Sequence, residues 1–131
     1  MTHSLLAQSP TTDSPLDCDE LLARCLGNAD LVERVLARFR GSIDQELDAL
    51  ERSLDAADAG DIARRAHRIK GTSLTVSAHR LNECAQRLET VAMSDHLDDI
   101  HSCVEDIRQE FARLDELIAS QQAMRGQSCK Y

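Results

Sequence analysis

Apolar residues recur at steps of three and four along almost the whole chain between residues 14 and 120. This spacing places them on one face of an α-helix. No segment shows the strict alternation of apolar and polar residues that is typical of a half-buried strand, and β-branched and aromatic residues are scarce. The pattern therefore predicts an all-α protein.

Residues that favour helix starts and stops divide the first half of this pattern into two segments. A short first helix is expected to open at Ser14-Pro15 or at Asp17 and to end at Gly27-Asn28. A long second helix should run from about Asp30 to Leu54, after which Asp58-Ala59-Gly60 forms the next break.

Polar residues suited to helix N-termini precede the three remaining periodic segments. Asp61 is expected to cap the third helix, Ser77 the fourth and Ser94 the fifth. Because the connections are only a few residues long, consecutive helices must run antiparallel. The sequence predicts an antiparallel up-down-up-down four-helix bundle with a short additional N-terminal helix. The fifth helix alone also fits an intermolecular coiled coil, but its apolar stripe is needed to complete the bundle core.

The two ends of the chain lack this apolar period and are mostly polar. We predict a mobile N-terminal tail over residues 1–13, one bundle domain over residues 14–120 and a mobile C-terminal tail over residues 121–131. A chain of 131 residues is long enough for one ordinary domain with a single core.

The charge and cysteine content exclude several classes of function. The formal net charge of −8 disfavours binding to nucleic acid or to an anionic membrane, both of which attract basic surfaces. There is no apolar run of membrane-spanning length and no secretion signal at the start, so a cytoplasmic protein is expected. The five cysteines are odd in number and include no C-x-x-C pair, which argues against a disulfide framework or a zinc knuckle.

The third predicted helix contains the candidate chemistry. At about 100° per residue, His67 points nearly opposite to Ile69, which lies on the apolar face, so His67 should face outward. The residues on its side of the helix are small, apolar or basic: Ala63, Arg64, Lys70, Gly71, Leu74 and Ala78. A glycine in a helix interior lowers helix stability by about 1 kcal/mol relative to Ala. The close approach of a partner would explain why Gly71 is present despite this loss.

This arrangement suits phosphoryl transfer to an imidazole. A neutral imidazole is nucleophilic near pH 7, because the ordinary pKa of the group is about 6.5. Phosphoryl transfer otherwise needs position and positive charge, which Lys70 and Arg64 can offer to the phosphoryl oxygens. The small residues Ala63 and Gly71 leave room for another protein, and the exposed apolar Leu74 and Ala78 would give it a surface to bury.

The segment resembles the signature of histidine-containing phosphotransfer (HPt) domains. The matching residues are Ala66-His67-Arg68-Ile69-Lys70-Gly71, then Ser73, Ser77-Ala78, Leu81 and Leu88-Glu89, and the resemblance covers most of residues 17–118. Two positions depart from the family pattern: Ile69 replaces the commoner Leu, and Ser77 replaces the usual Gly at the turn before the fourth helix. The turn backbone will differ if the family's glycine has a positive φ.

The resemblance implies a role for each candidate residue. His67 would accept a phosphoryl group from a receiver-domain aspartyl phosphate and pass it to another receiver's aspartate. Lys70, with Arg64, would support the phosphoryl group, and Ala63, Gly71, Leu74 and Ala78 would form the docking surface.

The resemblance also implies the cofactors and partners. The chain would be a phosphocarrier without autokinase or ATP-binding activity, would need no cofactor or metal of its own, and would use Mg²⁺ held by the receiver. Its partners would be response-regulator receiver domains and a hybrid histidine kinase. A monomer is expected separately, because the bundle already accounts for the fifth helix. Two other functions stay open: a helical adaptor without phosphotransfer, and a histidine-based metal or hydrolase site, although no ligand-type residue lies three or four positions from His67.

Overall fold

The computed structural model describes residues 14–94 and 96–129, with side chains described as far as residue 122. These ranges contain five α-helices: α1 Cys18–Arg24, α2 Ala29–Asp55, α3 Ala59–Thr75, α4 His79–Val91 and α5 Leu97–Cys129. No strand occurs in them, which confirms the all-α prediction. None of the described helices combines the length and the apolar character needed to cross a bilayer.

Helices α2 to α5 form the predicted antiparallel bundle. α3 packs between α2 and α4, and α5 packs against α4 and closes the bundle on α2. Phe39 of α2 meets Phe111 of α5 edge-on, with ring centroids 6.4 Å apart. The core is built from the apolar faces of all four helices, including Leu36, Ile43, Leu50, Ile62, Ile69, Leu81, Leu88, Ile107 and Leu114. The apolar stripe of α5 is thus used inside the bundle, as the bundle interpretation requires.

The short helix α1 lies across the connection between α3 and α4. The Asp17 backbone N–H donates to the Ser77 carbonyl over 3.0 Å. From the other end of α1, the Arg24 guanidinium donates to the carbonyls of Leu74 and Thr75 over 3.0 and 3.2 Å. These contacts satisfy carbonyls at the C-terminal end of α3 that have no partner within the helix. The helix therefore closes one end of the bundle.

The predicted starts of α2 and α3 are wrong by a few residues. Asn28 caps α2, since its side-chain oxygen accepts a hydrogen bond from the backbone of Leu31 over 3.1 Å. Asp58 caps α3 by accepting from the Asp61 backbone over 3.0 Å, which places Asp61 inside the first turn. Both errors have one cause: the periodic apolar residues begin later than the helix, and the cap lies before them.

The predicted caps of α4 and α5 are also wrong. α4 begins at His79, its N-cap is Ala78, and no side chain caps it. Ser77 lies one residue earlier, with φ of +62°, in the turn that follows α3. In this turn the Ala78 N–H donates to the Ser73 carbonyl over 2.9 Å. α5 begins at Leu97, three residues after Ser94. The Ser94 hydroxyl donates to the Val91 carbonyl over 2.6 Å and accepts from the His96 N–H over 3.3 Å, so it lies before the first turn.

Replacing Ser77 by Gly should stabilise the fold. A residue with a side chain is destabilised by about 1 kcal/mol in the left-handed backbone conformation, whereas glycine adopts this conformation without that penalty. We expect the free energy of unfolding, measured by urea titration, to rise by about 1 kcal/mol. Ser102→Gly is the matched control, since Ser102 is exposed within α5 and the same change should destabilise there. If both substitutions changed the free energy of unfolding equally, backbone strain at Ser77 would be ruled out as the cause.

The last helix extends into the segment predicted as the C-terminal tail. The sequence predicts a mobile tail from residue 121, whereas α5 continues to Cys129. The segment from Gln121 to Arg125 consists of strong helix formers, and no proline interrupts it. In addition, the Gln121 side-chain amide approaches Cys18 Sγ at 3.1 Å, which links α5 to α1. The predicted N-terminal tail over residues 1–13 lies outside the described residues.

Candidate functional site

His67 projects from the solvent-facing side of α3. Its side chain is 67% exposed. By contrast, its neighbours Ala66 and Ile69 are completely buried. This is the outward orientation that the helical wheel predicts.

A carboxylate on the neighbouring helix holds both His67 and Lys70. Glu89 of α4 places Oε2 at 2.9 Å from His67 Nδ1 and Oε1 at 2.7 Å from Lys70 Nζ. Hydrogen bonding to Lys70, and then to His67, keeps the pKa of the Glu89 carboxyl below its ordinary value, against the opposing effect of partial burial. Glu89 is therefore ionised at neutral pH and links the two side chains.

The bond to Glu89 fixes the tautomer of the imidazole. An ionised carboxylate can only accept hydrogen bonds, so Nδ1 of His67 must carry the proton. In the neutral ring the lone pair is then on Nε2. No group in the described part of the chain bonds to Nε2. The nitrogen that can act as a nucleophile is therefore the one that Glu89 does not touch.

The two predicted phosphoryl-supporting cations have different surroundings. Lys70 shares Glu89 with His67 and is only 25% exposed, so its ammonium is held beside the imidazole. Arg64 is 61% exposed and pairs with Asp61 over 2.6 Å, on the side of α3 nearer its N-terminus. Lys70 is held next to His67 because both bind Glu89, whereas Arg64 binds Asp61.

The small and apolar residues around His67 fall into three groups. Gly71 is exposed, and a Cβ added there would meet nothing within 4 Å, so packing inside the domain does not require a glycine. Leu74 is 47% exposed, whereas Ala63 is half-buried against the core. Ala78 is wholly buried, which contradicts its predicted place on the exposed surface. The helical wheel fails there because α3 ends at Thr75.

A groove between α2 and α3 runs beside the imidazole and encloses about 680 Å³. Its walls come from both helices and include Arg38, Phe39, Ser42, Glu46, His67 and Gly71. Sequence reasoning did not include the α2 residues in the site, because they become neighbours of His67 only when α2 packs on α3. Their signal in the sequence is the four-residue spacing of Arg38, Ser42 and Glu46 beside the buried Phe39.

Glu89 is the other functional residue that sequence reasoning missed. It belongs to the motif that resembles the HPt signature, where it has no assigned role. Two signals could have identified it: it follows the buried Leu88 on the helix antiparallel to α3, and its charge is opposite to that of Lys70. Neither signal gives the register between α3 and α4 that brings Glu89 to His67.

No metal-ligand cluster surrounds His67 in the described part of the chain. His67 and Glu89 do not belong to any group of three or more ligand-type side chains there. Such a group occurs instead at Asp17, Glu20 and His79, where α1 meets the start of α4. The carboxylate that bonds to the exposed imidazole is Glu89, which Lys70 shares.

Comparison with known proteins relates this chain to a family. A family model for the Hpt domain matches residues 34–119, which include all of α3 and α4. The sensor histidine kinase GacS of Pseudomonas protegens is 32% identical over 102 residues. The match covers 78% of this chain and 10% of GacS, so the chain spans about a tenth of that relative's length.

A solved structure has the same fold. A rice protein described as a histidine-containing phosphotransfer protein matches with a TM-score of 0.79, over 95% of this chain and 91% of that chain. At 16% identity this likeness shows the fold alone. The family match rests on the sequence itself and includes both the helix of His67 and the helix of Glu89. This chain belongs to the Hpt domain family.

Proposed function

We propose that the chain is a histidine phosphotransfer protein of a two-component phosphorelay. His67 accepts a phosphoryl group from the aspartyl phosphate of one receiver domain and passes it to an aspartate of another. The observation that supports this proposal most directly is the exposed imidazole whose Nδ1 is held by Glu89 at 2.9 Å, beside an ammonium bound to the same carboxylate.

Each transfer exchanges one bond to phosphorus for another. In the accepting step the Nε2 lone pair of His67 attacks the phosphorus, and the bond from phosphorus to the receiver's carboxylate oxygen breaks with its electron pair. The phosphorylated ring keeps its proton on Nδ1 and gains positive charge, which the Glu89 carboxylate stabilises. In the donating step the N–P bond breaks and the ring leaves as neutral imidazole. No proton has to be removed from Nε2 in either direction.

Lys70 supplies positive charge to the phosphoryl oxygens. Its ammonium binds the same carboxylate as the imidazole, so a small rotation of the flexible side chain brings it to a group on Nε2. Arg64 can add a second cation only after leaving Asp61. Mg²⁺ is contributed by the acidic pocket of the receiver, so this chain needs no cofactor of its own for the transfer. It neither binds ATP nor phosphorylates itself.

The partner surface consists of the groove between α2 and α3 and the exposed strip of α3. Gly71 borders both the groove and the imidazole, and Leu74 offers apolar area one turn further along. Ala63 is half-buried and contributes less, and Ala78 contributes nothing because it is buried. Receiver domains, including that of a hybrid histidine kinase, are the partners that this surface serves, and the chain acts as a monomer.

Replacing Lys70 by Ala should slow the transfer without stopping it. A single charged donor in a buried oxyanion site contributes about a hundredfold or more, and we expect about tenfold here because the site is open to solvent. The rate of loss of ³²P from a labelled receiver in single-turnover mixing measures the effect. Lys70→Arg is the matched control and should retain most of the rate. An unchanged rate in Lys70→Ala would contradict the phosphoryl-supporting role.

The proposed function is tested by incubating the full chain with each receiver domain of its source organism, phosphorylated on aspartate with ³²P. We expect label on this chain that is labile in acid and stable in alkali, and its return to a second, unlabelled receiver. Binding to receivers without any transfer, with the helical content intact, would instead support a helical adaptor.

A further inference from the structure

Three ligand-type side chains converge where α1 meets the first turn of α4. Glu20 Oε1 lies 2.8 Å from His79 Nε2, although the two residues are 59 positions apart in the chain. One ligand atom from each of Asp17, Glu20 and His79 lies within 4.8 Å of the other two. All three residues are half-buried. Asp17 Oδ1 caps α1 by accepting from the Glu20 backbone N–H over 3.1 Å.

The donor set fits a particular class of ion. Zn²⁺ binds imidazole nitrogen and carboxylate oxygen, and three protein ligands leave a fourth position for water or another oxygen. Two carboxylates also neutralise a divalent cation completely, so no net charge is left in the half-buried site. Zn²⁺ needs ligand separations of roughly 3.3 to 3.5 Å at its usual bond lengths of about 2.0 to 2.2 Å. The observed separations, from 2.8 Å to at most 4.8 Å, bracket these values.

A buried hydroxyl next to the cluster lacks a partner in good geometry. Ser77 is completely buried, and its Oγ has no hydrogen-bond partner in good geometry in the described part of the chain. The hydroxyl lies beside the Glu20 carboxyl and is the main cause that lowers its pKa, so it faces a member of the cluster. Buried hydroxyls are normally paired, because an unpaired one has lost its hydrogen bonds to water. A cation or its bound water would provide the absent partner.

We propose that Asp17, Glu20 and His79 form a Zn²⁺ site beside the buried Ser77 hydroxyl. The ion would join α1 to the connection between α3 and α4, where Asp17 already bonds to the Ser77 carbonyl over 3.0 Å. The site uses none of the residues proposed for phosphotransfer. Its role is to hold α1 on the end of the bundle.

Zinc titration of the metal-free full chain tests the proposal. Isothermal calorimetry in reducing buffer should give one Zn²⁺ per chain, and the Tm should rise with zinc concentration. His79→Gln and Asp17→Asn should each weaken binding by at least about tenfold. Both variants should fold, because Gln can still donate to Glu20 and Asn is a good helix cap. Unchanged affinity in either variant would overturn the proposal.

Two controls separate this site from other zinc ligands in the chain. His67→Gln and His96→Gln remove exposed imidazoles outside the cluster and should leave the zinc affinity unchanged. Loss of binding in His67→Gln alone would move the site to the phosphoacceptor and overturn the proposal. Co²⁺ used as a spectroscopic probe should give tetrahedral d–d bands without thiolate charge transfer. Strong thiolate charge transfer would assign the ion to the cysteines and would equally overturn it.

Discussion

Replacing His67 by Gln is expected to abolish phosphoryl uptake and to leave the stability of the domain almost unchanged. The imidazole is 67% exposed, and its hydrogen bond in the described structure is the one to Glu89. A glutamine amide can donate to the same carboxylate but has no nucleophilic nitrogen. The free energy of unfolding should therefore change by no more than about 0.5 kcal/mol, as for most surface substitutions.

The two halves of this prediction are measured separately. Acid-labile label from a phosphorylated receiver reports uptake, and urea unfolding reports stability. His96→Gln is the matched control, because His96 is 73% exposed and has an acidic neighbour, Asp99, at 3.6 Å. It should take up label at the wild-type rate. Full labelling of the His67 variant would place the phosphoacceptor elsewhere, and a loss of several kcal/mol would mean that the ring has a structural role.

A bulky side chain at position 71 should stabilise α3 and slow phosphotransfer. No atom lies within 4 Å of a Cβ built on Gly71, so a larger residue meets no obstacle in the isolated domain. Replacing glycine in a helix interior by a better helix former stabilises it by about 0.5 to 1 kcal/mol. The same side chain would occupy the space between His67 and the groove that a receiver must approach.

We expect Gly71→Trp to lower the transfer rate about a hundredfold, because a displacement of about 1 Å in the reacting groups has an effect of that size. Gly71→Ala should gain stability and lose much less rate. Gly41→Trp is the matched control: this glycine is also exposed, lies in α2 and has nothing within 4 Å of its Cβ. It should leave the transfer rate unchanged. Equal rates for Gly71→Trp and Gly41→Trp would remove the docking explanation for Gly71.

The predicted elements and their errors have different physical origins. The five helices and the outward direction of His67 depend on contacts between residues three or four apart, which the sequence records directly. The caps were misplaced because the first turn precedes the first apolar residue, as at Asn28 and Asp58. Ala78 was wrongly assigned to the exposed docking surface because the helical wheel applies only within a helix, and α3 ends at Thr75. The helical extension to Cys129 was missed because its residues are polar, although their helix propensity is high.

The sequence by itself determined an all-α bundle, a single outward imidazole on α3 with Lys70 and Gly71 beside it, and the resemblance to a phosphotransfer family. Only the tertiary structure decided that Glu89 holds Nδ1 of His67, that residues of α2 form a groove next to it, and that Asp17 and Glu20 meet His79. These pairs are far apart in the chain, and the bond from His67 to Glu89 spans 22 positions. Such contacts depend on the register between packed helices, which is set by the fit of the whole core rather than by any local pattern.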